Sequence, residues 1–176
     1  MYEMRIDLDK IFARAKKLGV SELEVVLQEN KQLDISGVKD RVESTRYVAE
    51  YYLGYRLLYG KKKATYGATI TSTEDALRVL EETVKIARIS PEDPYWKNLP
   101  RRLGPQADAM IYDEHTSKLD PSKAIEIVSS SIDIVKNYDP RVSPVTVKLQ
   151  VGGSETLFAN NYGEETSRKE LSLIHI

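Results

Sequence analysis

The stretch RYVAEYYLGYRLLYG, residues 46–60, restricts the fold of this chain more than any other segment. Read in steps of two, Tyr47, Ala49, Tyr51, Leu53, Tyr55, Leu57 and Tyr59 share one face and Arg46, Glu50 and Arg56 the other, which is the period of a strand. The rings on that face predict packing and cross-strand aromatic contacts rather than a ligand platform. Gly60 with Lys61, Lys62 and Lys63 reads as a turn, and ATYGATI as the returning strand. The three lysines are read as a solvated hairpin tip, because no nearby arginine in the sequence supports a phosphate site.

Around this strand the period changes several times. Leu8, Ile11, Phe12, Ala15 and Leu18 fall at helical spacing between a capping Asp7 and a terminating Gly19, so the spacing predicts a helix over 7–18. ELEVVLQ and QLDIS each alternate and are separated by Glu29, Asn30 and Lys31, which predicts two strands of a hairpin. Ser72 and Asp75 form a capping box for a helix over 73–89 that Pro91 ends, with Leu77, Leu80, Val84 and Ala87 on one face. SPEDPYWKNLPRRLGP, with four of the seven prolines and the single Trp, reads as an extended connector. Asp120 and Pro121 then open a helix over 121–137, with Ile125, Val128, Ile132 and Val135 as its buried stripe. VTVKLQV, the pair Gly152 and Gly153, and SETLFANN read as a second hairpin. The expected fold class is α/β in the α+β sense, a mostly antiparallel sheet with amphipathic helices packed on it. The echo of ESTR at 43 by ETSR at 165, with LQ at 27 and 149, adds an internal pseudo-repeat as an expectation.

Chemistry is harder to find than structure. Lys and Arg number 26 against 27 Asp and Glu, so the overall charge gives no reason to expect nucleic acid as a partner. There is no cysteine, which removes thiolate metal sites and thiol nucleophiles, and the charged start and absence of a long apolar run suggest no membrane and a cytoplasmic location. Asp113, Glu114 and His115 look like a metal cluster on paper, yet adjacent residues do not converge as ligands a helical turn apart do, so His115 is read as a loop histidine. No His-Glu-x-x-His pair, phosphate loop or nucleophile elbow is present, so no catalytic residue and no metal ligand is expected in this chain.

From Gly67 to Pro100 the chain reads GATITSTEDALRVLEETVKIARISPEDPYWKNLP, preceded by LEVVLQENKQLDISGVKDRVEST and followed by YDEHTSKLDPSKAIEIV and NNYGEETSRKE. In order and spacing this resembles the N-terminal domain of the TldD/PmbA family, also called modulators of DNA gyrase, over nearly the whole chain to Glu170. The family's strand motif of the RGxGVRV kind survives here only as Gly54 and Arg56 within EYYLGYRLLYG. The resemblance implies a cytoplasmic peptidase system acting on unfolded peptides, in which one subunit binds zinc through His-Glu-x-x-x-His. A PmbA/TldE-type subunit without that motif pairs with it. The ISPEDP…LP junction resembles the PmbA/TldE side. On this reading the chain is a non-catalytic part that needs no cofactor of its own and forms a homodimer or a heterodimer with a TldD/PmbA-type subunit. The alternative is a free-standing module that binds peptide or protein along the Tyr-rich strand.

Three units are expected along the chain: 1–100 with the connector, 101–170 as a second and incomplete αβ unit, and 171–176 as a non-native tail. Leu171–Ile176, LSLIHI, reproduce in all six positions one reading frame of the transposase adapter used to fragment DNA for sequencing, so the native chain is expected to continue from Glu170. TLFANNYG would then be an exposed sheet edge. Asn160 and Asn161 would bond peptide backbone there, Gly163 would allow close approach, and Phe158 would face the core.

Overall fold

The chain is seen in a computed structural model that describes residues 6–104 and 112–175, with side chains to Leu171. Its elements are α1 (Leu8–Lys17), β1 (Glu22–Val38), β2 (Arg41–Tyr59), β3 (Lys62–Ile70), α2 (Thr73–Ile89), a short α3 (Glu114–Ser117), α4 (Pro121–Tyr138), β4 (Thr146–Asn160) and β5 (Glu165–His175). The strands form one antiparallel sheet in the order β3-β2-β1-β4-β5. The α+β class and the three long helices therefore stand as expected. Local chemistry sets the helix starts. Asp7 accepts from the Lys10 amide at 2.9 Å, Ser72 from the Asp75 amide at 3.1 Å and Asp120 from the Ser122 amide at 2.8 Å. Asp75 in turn accepts from both the amide and the hydroxyl of Thr71, the residue before the cap, and those bonds hold its carboxyl below the usual carboxylate range.

Two expected hairpins are single strands instead. β1 runs unbroken through Glu29, Asn30 and Lys31. Leu23, Val25, Leu33, Ile35 and Gly37 are all buried and all odd-numbered, so the strand never changes phase, and nothing in the polar step forces a turn. The real turn follows at Lys39, whose φ is 57°. β4 likewise runs through Gly152 and Gly153. Neither glycine takes a positive φ, and a primed two-residue turn demands one. In β4 it is Ala159, 2% exposed, that is buried, while Phe158 on the opposite side is only half-buried.

The chain forms two compact units, each built from non-contiguous stretches. The first takes Met1–Glu29, Glu50–Ala107 and Glu155–Arg168, and the second Asn30–Ala49, Asp108–Ser154 and Lys169–Ile176. The observed division is thus interleaved, where the sequence suggested consecutive blocks. In the first unit Leu53, Tyr55 and Leu57 of β2, Leu23 and Val25 of β1, and Ala64 and Ile70 of β3 form a core with Ile11 and Ala15 of α1 and Ala76, Val79, Leu80, Val84 and Ala87 of α2. The tyrosine stripe enters this core only in part. Tyr55 is 1% exposed and Tyr51 and Tyr59 pack at the margin, whereas Tyr47 lies 53% exposed.

The Tyr55 hydroxyl donates to the Ala76 carbonyl at 3.0 Å, which satisfies the one polar atom that the buried ring brings into the core. Tyr55→Phe is expected to lower stability by about 1 kcal/mol. Burial also raises the Tyr55 phenol well above its ordinary range. A raised native value gives stability that is complete below the unfolded value, about 10, and is lost as pH climbs above it. Wild type should therefore lose more stability than Tyr55→Phe between neutral and strongly alkaline pH, as read by denaturant titration; equal losses would count against this account.

The second unit has its own core of Leu33, Ile35, Ala124, Val128, Ile132, Leu149 and Val151. On α4 the buried stripe runs through Ala124, Val128 and Ile132, one step round from the expected set, with Ile125 partly buried beside it. Gly37 of β1 faces this helix: a Cβ there would meet Ile132 Cδ1 at 2.8 Å and Val128 Cγ1 at 3.1 Å. Both neighbours are side-chain tips that can shift, so Gly37→Ala should cost about 1 kcal/mol and Gly37→Leu about 3 kcal/mol. Thermal melts of the two variants check the order.

Candidate functional site

Sequence reasoning placed the candidate residues at 160–163, and the structure puts them in the turn from β4 to β5 within the first unit. Asn160 is 2% exposed. Its Nδ2 donates to the Pro100 carbonyl at 3.1 Å, and its Oδ1 accepts from the amides of Tyr162 at 2.9 Å and Glu164 at 3.2 Å. Asn161 Oδ1 accepts from the Leu23 amide at 2.9 Å, and Asn161 Nδ2 donates to the Ser21 carbonyl at 3.3 Å. The Asn161 amide in turn donates to the Leu23 carbonyl at 3.0 Å. Gly163, with φ +86°, completes the turn, and its amide donates to the Asn160 carbonyl at 3.2 Å.

The expected exposed edge is corrected by this arrangement. β4 lies between β1 and β5, so the outermost strands of the sheet are β3 and β5. The two asparagines spend their donors and acceptors on the chain's own backbone. Asn160 bonds locally to the amides of Tyr162 and Glu164, but its carbonyl partner at Pro100 lies 60 residues away and the partners of Asn161 lie 138 and 140 residues away.

Sequence reasoning missed Glu22, the first residue of β1, which ties three segments together. Its Oε2 accepts from the Leu99 amide at 2.6 Å and from the Trp96 indole at 3.4 Å, and its Oε1 accepts from the Tyr162 hydroxyl at 3.0 Å. Burial, followed by the bond to Glu22, raises the Tyr162 phenol above its ordinary range. Nothing in the sequence distinguishes Glu22 from the other acids of an alternating strand. Beside this junction, α1 and the start of β1 enclose a cleft of about 530 Å³ lined by Phe12, Lys16, Val20, Ser21 and Asn161 among others.

In the second unit His115 is exposed on α3, at the rim of an apolar cavity of about 790 Å³ between α4 and β4. Its acidic neighbours have other work. Asp113 caps α3 by accepting from the Thr116 amide at 2.6 Å, and Glu114 pairs with Lys118 at 2.5 Å; each bond lowers the carboxyl concerned. Among the described residues no group of three or more His, Cys, Asp or Glu side chains could hold a metal ion. They therefore do not fit the zinc that the family resemblance associates with a catalytic subunit. No helix among them is long and apolar enough to cross a membrane.

Comparison with solved structures gives the fold a context. TldE from Thermococcus kodakarensis superposes with a TM-score of 0.79 at 14% identity, covering 96% of this chain and 38% of that one. A protein described as a modulator of DNA gyrase from Thermotoga maritima gives 0.69 at 15% identity over 93% of this chain and 36% of its own. A similarly described protein from Bacteroides thetaiotaomicron gives 0.69 at 18% identity, over 96% and 40%. No family model and no curated protein matches the sequence. The chain spans about two fifths of the length of these solved structures. What they have in common with it is the architecture: the chain has the TldD/PmbA-family fold.

Proposed function

We propose that this chain is a non-catalytic part of a TldD/PmbA-family metallopeptidase component, closer to the PmbA/TldE type, which works with a zinc-binding TldD-type subunit on unfolded peptides. The observation that carries this reading is the 0.79 superposition on TldE over 96% of the chain, in step with the ordered motifs between Leu23 and Glu170. The described residues offer no zinc donor set, so the contribution assigned to this chain is structural and substrate-holding. A peptide would be held by strand addition, in which main-chain groups supply affinity without demanding a sequence. Asn160, Asn161 and Gly163 would serve that role indirectly, by fixing the turn from which β5 departs.

The test pairs the chain, in its full-length native context, with a TldD-type subunit from the same source. Association by light scattering, and cleavage of an unfolded peptide by the mixture but not by this chain alone, are the expected results. Metal-dependent cleavage by this chain alone, or no association with any such subunit, would reject the proposal.

A further inference from the structure

Of the two outer strands of the sheet, β3 is the one against whose outer side the chain has already laid backbone of its own. Gly60, with φ +65°, opens a two-residue turn, so Tyr59 and Lys62 close the β2–β3 hairpin as a hydrogen-bonded pair. From there the pairing runs without a bulge to Tyr51 opposite Ile70. The alternation of an antiparallel ladder turns the backbone groups of Lys62, Ala64, Tyr66, Ala68 and Ile70 toward β2, and those of Lys63, Thr65, Gly67 and Thr69 outward. Both ends of the outer side are occupied. At the hairpin end Glu92 bridges antiparallel to Lys62, and the Asp93 amide donates to the Lys61 carbonyl at 2.9 Å. At the far end the Thr71 amide donates to Asp75 Oδ2 at 2.9 Å. Between them Thr65, Gly67 and Thr69 have no backbone partner on the outer side among the described residues.

An open edge invites pairing with any extended chain, and folded proteins ordinarily blunt it with a lysine, a proline, a bulge or a cover. ATYGATI, residues 64–70, carries none of the first three: it has no charge and no proline, and its register is unbroken. Nor is it covered, since α2 packs on the face that carries Ala64 and Ile70 and leaves Thr65, Tyr66 and Thr69 exposed. Threonine, tyrosine and isoleucine favour extended pairing, and Gly67 has no side chain to shield its backbone.

We propose that the open edge of β3 binds an extended peptide, which adds as an antiparallel strand and bonds the outward amides and carbonyls of Thr65, Gly67 and Thr69. The inference names the edge for the function proposed above, and rests on that reading for the choice of an unfolded peptide as occupant. The Glu92 bridge sets the direction: the C-terminal end of the peptide lies toward the hairpin. Because every bond is to main chain, the edge accepts many sequences.

The test is hydrogen exchange by NMR on the intact chain, with an unstructured peptide of alternating threonine and valine, ended by lysines, as the probe. In the free chain the amides of Thr65, Gly67 and Thr69 should exchange rapidly, while those of Tyr66 and Ala68 are protected by β2. Saturating peptide should slow exchange at the first three and leave the other two as they were. Thr65→Pro deletes one outward amide without removing a β2–β3 bond and should weaken binding about tenfold; Thr65→Ala keeps the amide and should bind as wild type does. Thermal melts show whether the proline variant folds, and the wild-type exchange pattern decides without it if it does not. Failure to bind, protection at other residues instead, or a folded Thr65→Pro variant that binds as wild type does would overturn the proposal. So would protection of the three amides before peptide is added, as pairing with a second copy of this chain would produce. Cleavage is not read, so slowed exchange at these amides would uphold the edge even if no TldD-type subunit associated, and association would not rescue an edge that stayed unprotected.

Discussion

Replacing Gly67 with valine is expected to cost about 3 kcal/mol and to lower the melting temperature by roughly 10 °C. Gly67 in β3 lies directly opposite Gly54 in β2, and the Tyr52 ring crosses the gap that these two residues leave. A Cβ on Gly67 would stand 2.3 Å from the Tyr52 hydroxyl oxygen, 2.8 Å from Tyr52 Cζ and 2.7 Å from the Leu53 carbonyl oxygen. Tyr52 is 43% exposed, so its ring can swing away. The Leu53 carbonyl belongs to the sheet and cannot move without disturbing the β2–β3 ladder. Combining Gly67→Val with Tyr52→Ala should therefore recover part of the loss and leave the remainder. Full recovery would show that only the ring was in conflict; no loss in the single variant would show that the close approach at Gly67 is absent in solution. Gly60 is the contrast, since a Cβ there meets nothing within 4 Å and the penalty comes only from its φ of +65°.

Asn160→Ala should be of similar size, about 3 kcal/mol, because it removes a buried side chain that one carbonyl and two amides of the turn share. The Pro100 carbonyl loses its donor, and the amides of Tyr162 and Glu164 lose the oxygen that both reach. Asn160→Asp separates the two halves of the role. It keeps an acceptor for the amides but sets a second acceptor against Pro100, so it should lie between wild type and alanine in denaturant unfolding. Hydrogen exchange at Tyr162 and Glu164 should accelerate in Asn160→Ala and stay protected in Asn160→Asp. An alanine variant as stable as wild type would remove Asn160 from the structural account and reopen a direct role in binding. Asn161→Ala should cost less, because Asn161 is exposed and water can replace its partners at Leu23 and Ser21.

The helices were legible because their signals are local. A cap, an apolar stripe of period 3.6 and a breaker lie within about twenty residues of one another, and α1, α2 and α4 begin and end within a residue or so of where those signals put them. The strands were legible in phase but not in extent. Alternation shows which residues share a face, and it held along β1 and β4, but it does not say whether a polar step or a glycine pair turns the chain. That depends on whether neighbouring strands continue to offer hydrogen bonds, and β2 for β1 and β5 for β4 are such neighbours.

The sequence by itself determined the class of fold, the three long helices and the aromatic strand with its returning partner, all through interactions between residues close in the chain. Only the tertiary structure decided what those residues do. It gave Asn160 and Asn161 to the chain's own backbone, made a hub of Glu22 and put Tyr52 across Gly67. The physical reason is range: a cap or a period is felt over a few residues, whereas a buried amide or a shared carboxylate finds its partner only after strands distant in sequence have been laid side by side.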